Sequence, residues 1–164
     1  MKSGKARPAA KALTRTRSTR QRVLNQSALT DLFGYNARRA EVRVRQEFLR
    51  ALADWDIRPA EYSALTLIAS NEFVTQADLV DALNIKRPNM VGLIDGLERR
   101  GLAERSVYER DRRNHVLSLT AKGEVLLADI DQLVREMDRR ITQCWTPKER
   151  AQVIELLQRF YRQP

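Results

Sequence analysis

Lys86, Arg87, Pro88 and Asn89, followed by Met90, stand where a short polar turn enters a run of helical periodicity. These side-chain types can read duplex DNA. Arginine and lysine donate to the guanine edge in the major groove, and asparagine pairs bidentately with adenine. A helix start also carries the positive end of the dipole, which favours phosphate. Further on, Arg110, Asp111, Arg112 and Arg113 crowd a second polar segment that ends at Asn114. A narrow minor groove concentrates negative potential and attracts inserted arginine. Asp111 suits this role, because a carboxylate can hold one guanidinium bidentately while its neighbours face DNA. All nine residues are therefore expected at a DNA interface. Arg99 and Arg100, at the far end of the same helix, read as surface charge or phosphate contacts.

Other chemistries find little support. The sequence has no Ser/His/Asp order, no zinc-type histidine pair and no Gly-rich phosphate loop, and its one histidine, His115, offers little acid–base machinery. No catalytic residue, metal or cofactor is expected, and the chain reads as a non-enzyme. A single cysteine, Cys144, excludes an intramolecular disulfide and a multi-cysteine zinc site. It is expected to be buried at a helix end or a dimer interface. No apolar run is long enough to span a bilayer. The basic N-terminus lacks the apolar segment of a secretory signal, although an Arg-rich, acid-free start also suits an organelle transit peptide. The expected location is the cytoplasm.

The elements that must position these residues follow from periodicity. Apolar residues from Leu29 to Trp55 recur every three or four positions, which predicts one long helix. Pro59 suits the first position of a helix running to about Ser70. Thr75 with Asp78 forms a capping-box start for a short helix ending near Leu83. The next helix runs from Arg87 to Arg100, where Gly101 ends it. Two extended pieces follow, Ala103–Arg110 and His115–Leu119, with a turn expected over Asp111–Asn114. Thr120 caps another helix, and Thr146-Pro147-Lys148-Glu149 opens the last. Short helix, tight turn, second helix and hairpin is the order of a winged helix-turn-helix. The expected fold is mostly α with a small β-wing.

Charge is uneven along the chain. Of the formal net charge of +9, residues 1–29 supply eight basic and no acidic side chains, so the body is nearly neutral. Residues 1–28, poor in large apolar groups, are expected to form a disordered basic arm. The arm can add phosphate contacts but cannot choose a sequence by charge alone. A sequence-tolerant DNA-coating protein driven by this arm is the alternative reading, and deleting the arm discriminates: a regulator keeps its site preference.

The segment from Leu83 to Arg105, with its Leu-Glu-x-x-Gly-Leu exit, and the wing pattern Arg-Asp-x-Arg leading to Leu-Thr-x-x-Gly123, resemble the MarR family of bacterial and archaeal regulators. The resemblance covers roughly residues 29–162. It implies a homodimer in which helices 29–55 and 120–162 intertwine, with a winged lobe at about 57–120. It also implies a palindromic double-stranded DNA operator, usually repression, and a small-molecule effector that weakens binding. Asp111 and Arg113 match the family's wing pair, while Arg87, Pro88 and Asn89 fall in its variable base-reading segment. The family's effector pocket lies between the dimerisation helices and the DNA-binding lobe. Tyr35, Arg38, Arg39, Arg43, Trp55 and Tyr62 are the candidates there, suited to an aromatic carboxylate or its CoA thioester. Core packing and solvated charge explain the same six residues equally well. Pro88, Val91 and Gly92 depart from the family's recognition helix, so the operator sequence cannot be carried over. The peroxide-sensing branch carries its reactive cysteine near the start of the first long helix, where this chain has none.

Overall fold

The computed structural model describes residues 24–108 and 111–162, with side chains for 24–107 and 115–162. It divides into two compact units near Asn36. The elements are α1 (Ser27–Thr30), α2 (Phe33–Ala51), α3 (Pro59–Ser70), β1 (Val74–Thr75), α4 (Gln76–Leu83), α5 (Arg87–Arg99), β2 (Ala103–Tyr108), β3 (Asp111–Leu119), α6 (Ala121–Ile141) and α7 (Pro147–Tyr161). Helices dominate, and one small antiparallel sheet accompanies them.

The single helix expected over Leu29–Trp55 is shorter and interrupted. The Asn36 side-chain amide donates to the Thr30 carbonyl at 2.7 Å and to the Leu32 carbonyl at 2.9 Å. Those bonds satisfy carbonyls at the break between α1 and α2, where helical continuation would otherwise be needed. At the other end α2 stops at Ala51, and the chain turns through Asp56, at φ 47°. Aspartate tolerates this left-handed conformation better than most residues. The turn delivers Ile57 to the core and Pro59 to the start of α3.

The core of the second unit is built by amphipathic faces. α3 contributes Ala64, Leu65 and Ile68, α4 contributes Leu79, and α5 contributes Met90, Ile94 and Leu97. Leu102 and Ala103 seal the strand side, and Ile130 and Met137 of α6 close the cluster. The join between α5 and α6 is tight. Gly101 sits at φ 64°, as a helix-ending glycine can. Thr120 donates its hydroxyl to the Gly101 carbonyl at 2.6 Å, and Lys122 Nζ donates to the Arg100 carbonyl at 2.8 Å. Gly123 then passes so close to Leu102 that a Cβ would lie 1.9 Å from the Leu102 carbonyl oxygen. Only glycine permits that approach.

The sheet has the order β1-β3-β2. β1 was not expected: two residues, Val74 opposite Leu117 and Thr75 opposite Val116, give no alternation to detect. The hairpin also differs from expectation. β3 begins at Asp111 rather than His115, so Asp111–Asn114 is strand and not the turn. A register irregularity falls at Val107/Tyr108, where Tyr108 pairs with Asp111. Across that irregularity the register slips by three residues, from Val107 opposite His115 to Tyr108 opposite Asp111, so the polar stretch whose composition reads as a turn is taken up as a bulge in β3.

Candidate nucleic-acid interface

The helix pair α4–α5 is set by local chemistry. Thr75 Oγ1 accepts from the Asp78 N–H at 3.2 Å, while Asp78 accepts from the Thr75 N–H at 2.8 Å. The Thr75 hydroxyl also donates to the Asp78 carboxylate at 2.7 Å, and this bond, followed by that from the Thr75 N–H, holds the Asp78 carboxyl below its usual range. α4 ends on Asn84 at φ 49°, and the Ile85 N–H donates to the Val80 carbonyl at 3.2 Å. This sharp exit swings the chain into α5 after Lys86. Pro88 in the first turn fits there, because its missing N–H would have no intrahelical partner.

Burial of Met90, Ile94 and Leu97 fixes the rotation of α5. Lys86, Arg87, Pro88, Asn89, Val91 and Gly92 are consequently exposed. Met90 is the exception among the expected contacts. It is 0% exposed, locked in the core one turn before Ile94, and its side chain cannot meet a base edge. Of the expected wing residues, Arg110 lies outside the described residues. Asp111, Arg112 and Arg113 belong to β3, and their side chains lie outside the description. His115 is exposed and pairs through its backbone with Val107.

Arg105 holds wing and helix together. From β2 its guanidinium donates to Asp95 at 2.8 Å, to Glu98, and to the Gln76 side chain at 3.4 Å. One half-buried cation thus joins β2, α5 and the first residue of α4. Asp95 and Glu98, three apart on one helix face, were a readable signal for such a partner. Only the fold shows that Arg105 supplies it.

The expected effector residues divide between the two units. In the first unit, the Tyr35 hydroxyl donates to the Gln26 side chain. Arg38 pairs with Glu41 at 2.5 Å on the exposed surface of α2, and Arg39 and Arg43 are exposed on that helix. Trp55 is half-buried and packs on the core. Tyr62 alone among the six lines a cavity of about 920 Å³, bounded by α3, α6 and the start of α7. Its ring lies 5.8 Å from that of Phe48, and its hydroxyl donates to Asp131 at 2.8 Å. Burial raises the Tyr62 pKa above its usual value, and the bond to Asp131 raises it further. Asp131 moves the other way, lowered first by the hydrogen bond from Arg135 at 2.7 Å and then by that from Tyr62. Arg139, Arg150 and Trp145 complete a basic and aromatic wall. Arg139 and Arg150, on α6 and α7, and Trp145, in the turn between them, all lie in a region that the sequence reading assigned only to dimerisation. Cys144, expected to be buried at a helix end or a dimer interface, is exposed within the single chain, in the turn before α7. Among the described residues, no group of His, Cys, Asp or Glu is placed to hold a metal.

A short helix, a sharp turn, a second helix with a polar exposed start, and a hairpin bolted beside it define a winged helix-turn-helix DNA-binding protein. Comparison with known proteins agrees. The MarR family model matches residues 55–114. A Thauera aromatica protein assigned as the transcriptional regulatory protein for the hcr operon is 32% identical over 131 residues, 79% of each chain. The transcriptional repressor CouR, solved bound to a 23-mer DNA duplex, superposes with a TM-score of 0.81 at 35% identity, covering 86% of this chain and 100% of CouR. BpsR of Bordetella bronchiseptica shares the fold, with a TM-score of 0.78 at 23% identity over 83% of this chain and 97% of its own. The chain belongs to the MarR family, whose members are DNA-binding transcription regulators rather than enzymes.

Proposed function

We propose that this protein is a ligand-responsive repressor that binds a palindromic operator as a homodimer and is released by a small molecule. The observation that carries the reading is the exposed start of α5, with Lys86, Arg87 and Asn89 outward while Met90 anchors the same turn. Two such heads, placed in successive major grooves about 34 Å apart, would read two half-sites. The hairpin with Asp111, Arg112 and Arg113 extends beside each head, where it can reach the adjoining minor groove.

Dimer formation is supported by α7, which buries none of its residues and exposes Ile154, Leu156 and Leu157. An apolar stripe of this kind on a water-facing helix marks an interaction surface. In this reading the winged lobe spans about 57–120, helices within 29–55 and 120–162 join the protomers, and the basic arm expected over 1–28, of which 1–23 lie outside the described residues, runs up to the start of α1 at Ser27. The protein works with DNA in the cytoplasm, and no helix among the described residues is long and apolar enough to cross a membrane.

For the effector, the α3–α6 cavity with Tyr62, Trp145, Arg135 and Arg139 suits an aromatic acid or its CoA thioester. CouR, also solved bound to p-coumaroyl-CoA, is 34% identical to this chain in that form. A ligand can release DNA only as far as it prefers the non-binding conformation. The test is fluorescence anisotropy of a labelled duplex from the gene's own promoter, titrated with protein and then with p-coumaroyl-CoA or p-coumarate. Saturable, site-preferring binding that one of these reverses supports the reading. Equal binding to a scrambled duplex contradicts it.

A further inference from the structure

The two flanks of α5 are treated differently. On one, Asp95 and Glu98 are engaged by Arg105. At 100° per residue, Gly96 lies roughly 160° around the helix from Glu98. On that other flank a cleft of about 790 Å³ opens between α5 and the start of α3. Asn89, a leading residue of α5, lies on its wall, so the cleft begins beside the residues proposed to meet bases.

Its charges are Arg58, Arg99 and Arg100 against Asp56 and Glu61. Glu61 is already committed: one oxygen accepts from the Arg58 N–H at 2.8 Å and the other from Arg100 at 3.4 Å. Arg99 donates Nε to the Asp95 carbonyl at 3.2 Å, which leaves its terminal nitrogens to point elsewhere. Arg58 and Arg99 are exposed, and among the described residues neither has an ion-pair partner. Asp56 is the one acid of the cleft without an ion-pair partner among the described residues. The space continues along the helix at Gly92 and Gly96. A Cβ at Gly92 would meet nothing within 4 Å, and one at Gly96 only the tip of Arg99 at 4.0 Å.

We propose that this cleft seats a phosphodiester of the bound duplex, with Arg58 and Arg99 as its donors, so that α5 is gripped on the side opposite the wing. The inference rests on the DNA-binding reading above. The duplex lies against the start of α5, and the phosphates bordering a major groove pass along the flanks of whatever helix occupies it. The cleft runs along α5 from Asn89 to Arg99, about 15 Å, and its two exposed cations meet the backbone strand that follows this flank. A phosphate contact fixes register without sensing sequence.

The test is the salt dependence of binding, measured by anisotropy on the promoter duplex and on a scrambled duplex of equal length. Each lost phosphate contact lowers the log–log slope by about 0.9. Arg58→Ala and Arg99→Ala are each expected to lower it by that amount, equally on both duplexes, with the melting temperature unchanged. Gly96→Glu places a carboxylate in the cleft without a backbone clash and is expected to lower the slope at least as far. Arg58→Lys is expected to retain it. Wild-type slopes in Arg58→Ala, Arg99→Ala and Gly96→Glu, with specific binding intact, overturn the cleft alone. Failure of the wild type to bind any duplex overturns the DNA-binding reading as well.

Discussion

The winged lobe and the last helix handle their apolar surface in opposite ways. In the lobe, Leu65, Leu79, Met90, Ile94, Leu97 and Leu102 are all but fully buried within one chain. In α7, Leu157 and Leu156 each remain 45% exposed and no residue is buried. The lobe's core is completed within the same chain, by Phe48 of α2 and by Ile130 and Met137 of α6, whereas α7 leaves its apolar face for another surface to cover. The reading head is therefore finished within one chain, whereas in the proposed dimer its spacing from a second head would depend on what α7 meets.

The largest expected effect comes from breaking that second arrangement. Ile154→Glu with Leu157→Glu should give a monomer by analytical ultracentrifugation and weaken operator binding roughly a hundredfold or more, because two linked heads gain that much over one. The helical circular dichroism of the lobe should survive. A variant that stays dimeric assigns the dimer to other surfaces.

Gly123→Ala probes the lobe itself. The new Cβ would meet the Leu102 carbonyl oxygen at 1.9 Å, so the α5–α6 join must move. A stability loss of about 3 kcal/mol in urea unfolding is expected, at the upper end of overpacking effects. A wild-type midpoint would mean that the join is loose.

Arg105→Ala is expected to act on reading rather than folding. It unpins β2 from Asp95, Glu98 and Gln76, so wing and α5 lose their fixed angle. Operator affinity should fall roughly tenfold, worth about 1.4 kcal/mol, with a smaller change on scrambled DNA. An equal fall on both duplexes would reduce Arg105 to a general charge.

The smallest effect is in pH dependence. Asp131 has its folded pKa lowered by Arg135 and Tyr62, so it contributes stability above the usual carboxylate value of 3.8 that is lost as pH falls through the lower folded value. Asp131→Asn should flatten the acid limb of the melting-temperature profile. Tyr62, whose pKa is raised, contributes stability that is present below its usual value of 10.0 and lost as pH rises through the folded value. Tyr62→Phe should flatten the alkaline limb. Unchanged limbs would show that the α3–α6 link carries no net stability.

Much of the reading head was legible because strong local signals agree. The Thr75 and Thr146 caps, the proline starts of α3, α5 and α7, and the Gly101 exit all lie where periodicity and turn chemistry place them. Helix rotation was harder to read, since Met90 follows Lys86, Arg87 and Asn89 at the polar start of α5, although its i, i+4, i+7 spacing with Ile94 and Leu97 marks the inward face. The wing boundary failed for a related reason. Asp111–Asn114 has turn composition, but pairing with the preceding strand makes its first residue part of β3. The cavity around Tyr62 and the Arg105 cross-link depend on residues far apart in sequence, such as Tyr62 with Asp131, and no local pattern encodes those meetings.

The most direct test of the central claim is the specificity ratio of Asn89→Ala, the wild-type affinity for promoter duplex over scrambled duplex being the reference. Reading of a base by Asn89 predicts that the ratio drops by about 1–3 kcal/mol while binding to scrambled DNA is unchanged. An unaltered ratio for Asn89→Ala, and for Arg87→Ala beside it, would show that the exposed start of α5 does not read the operator.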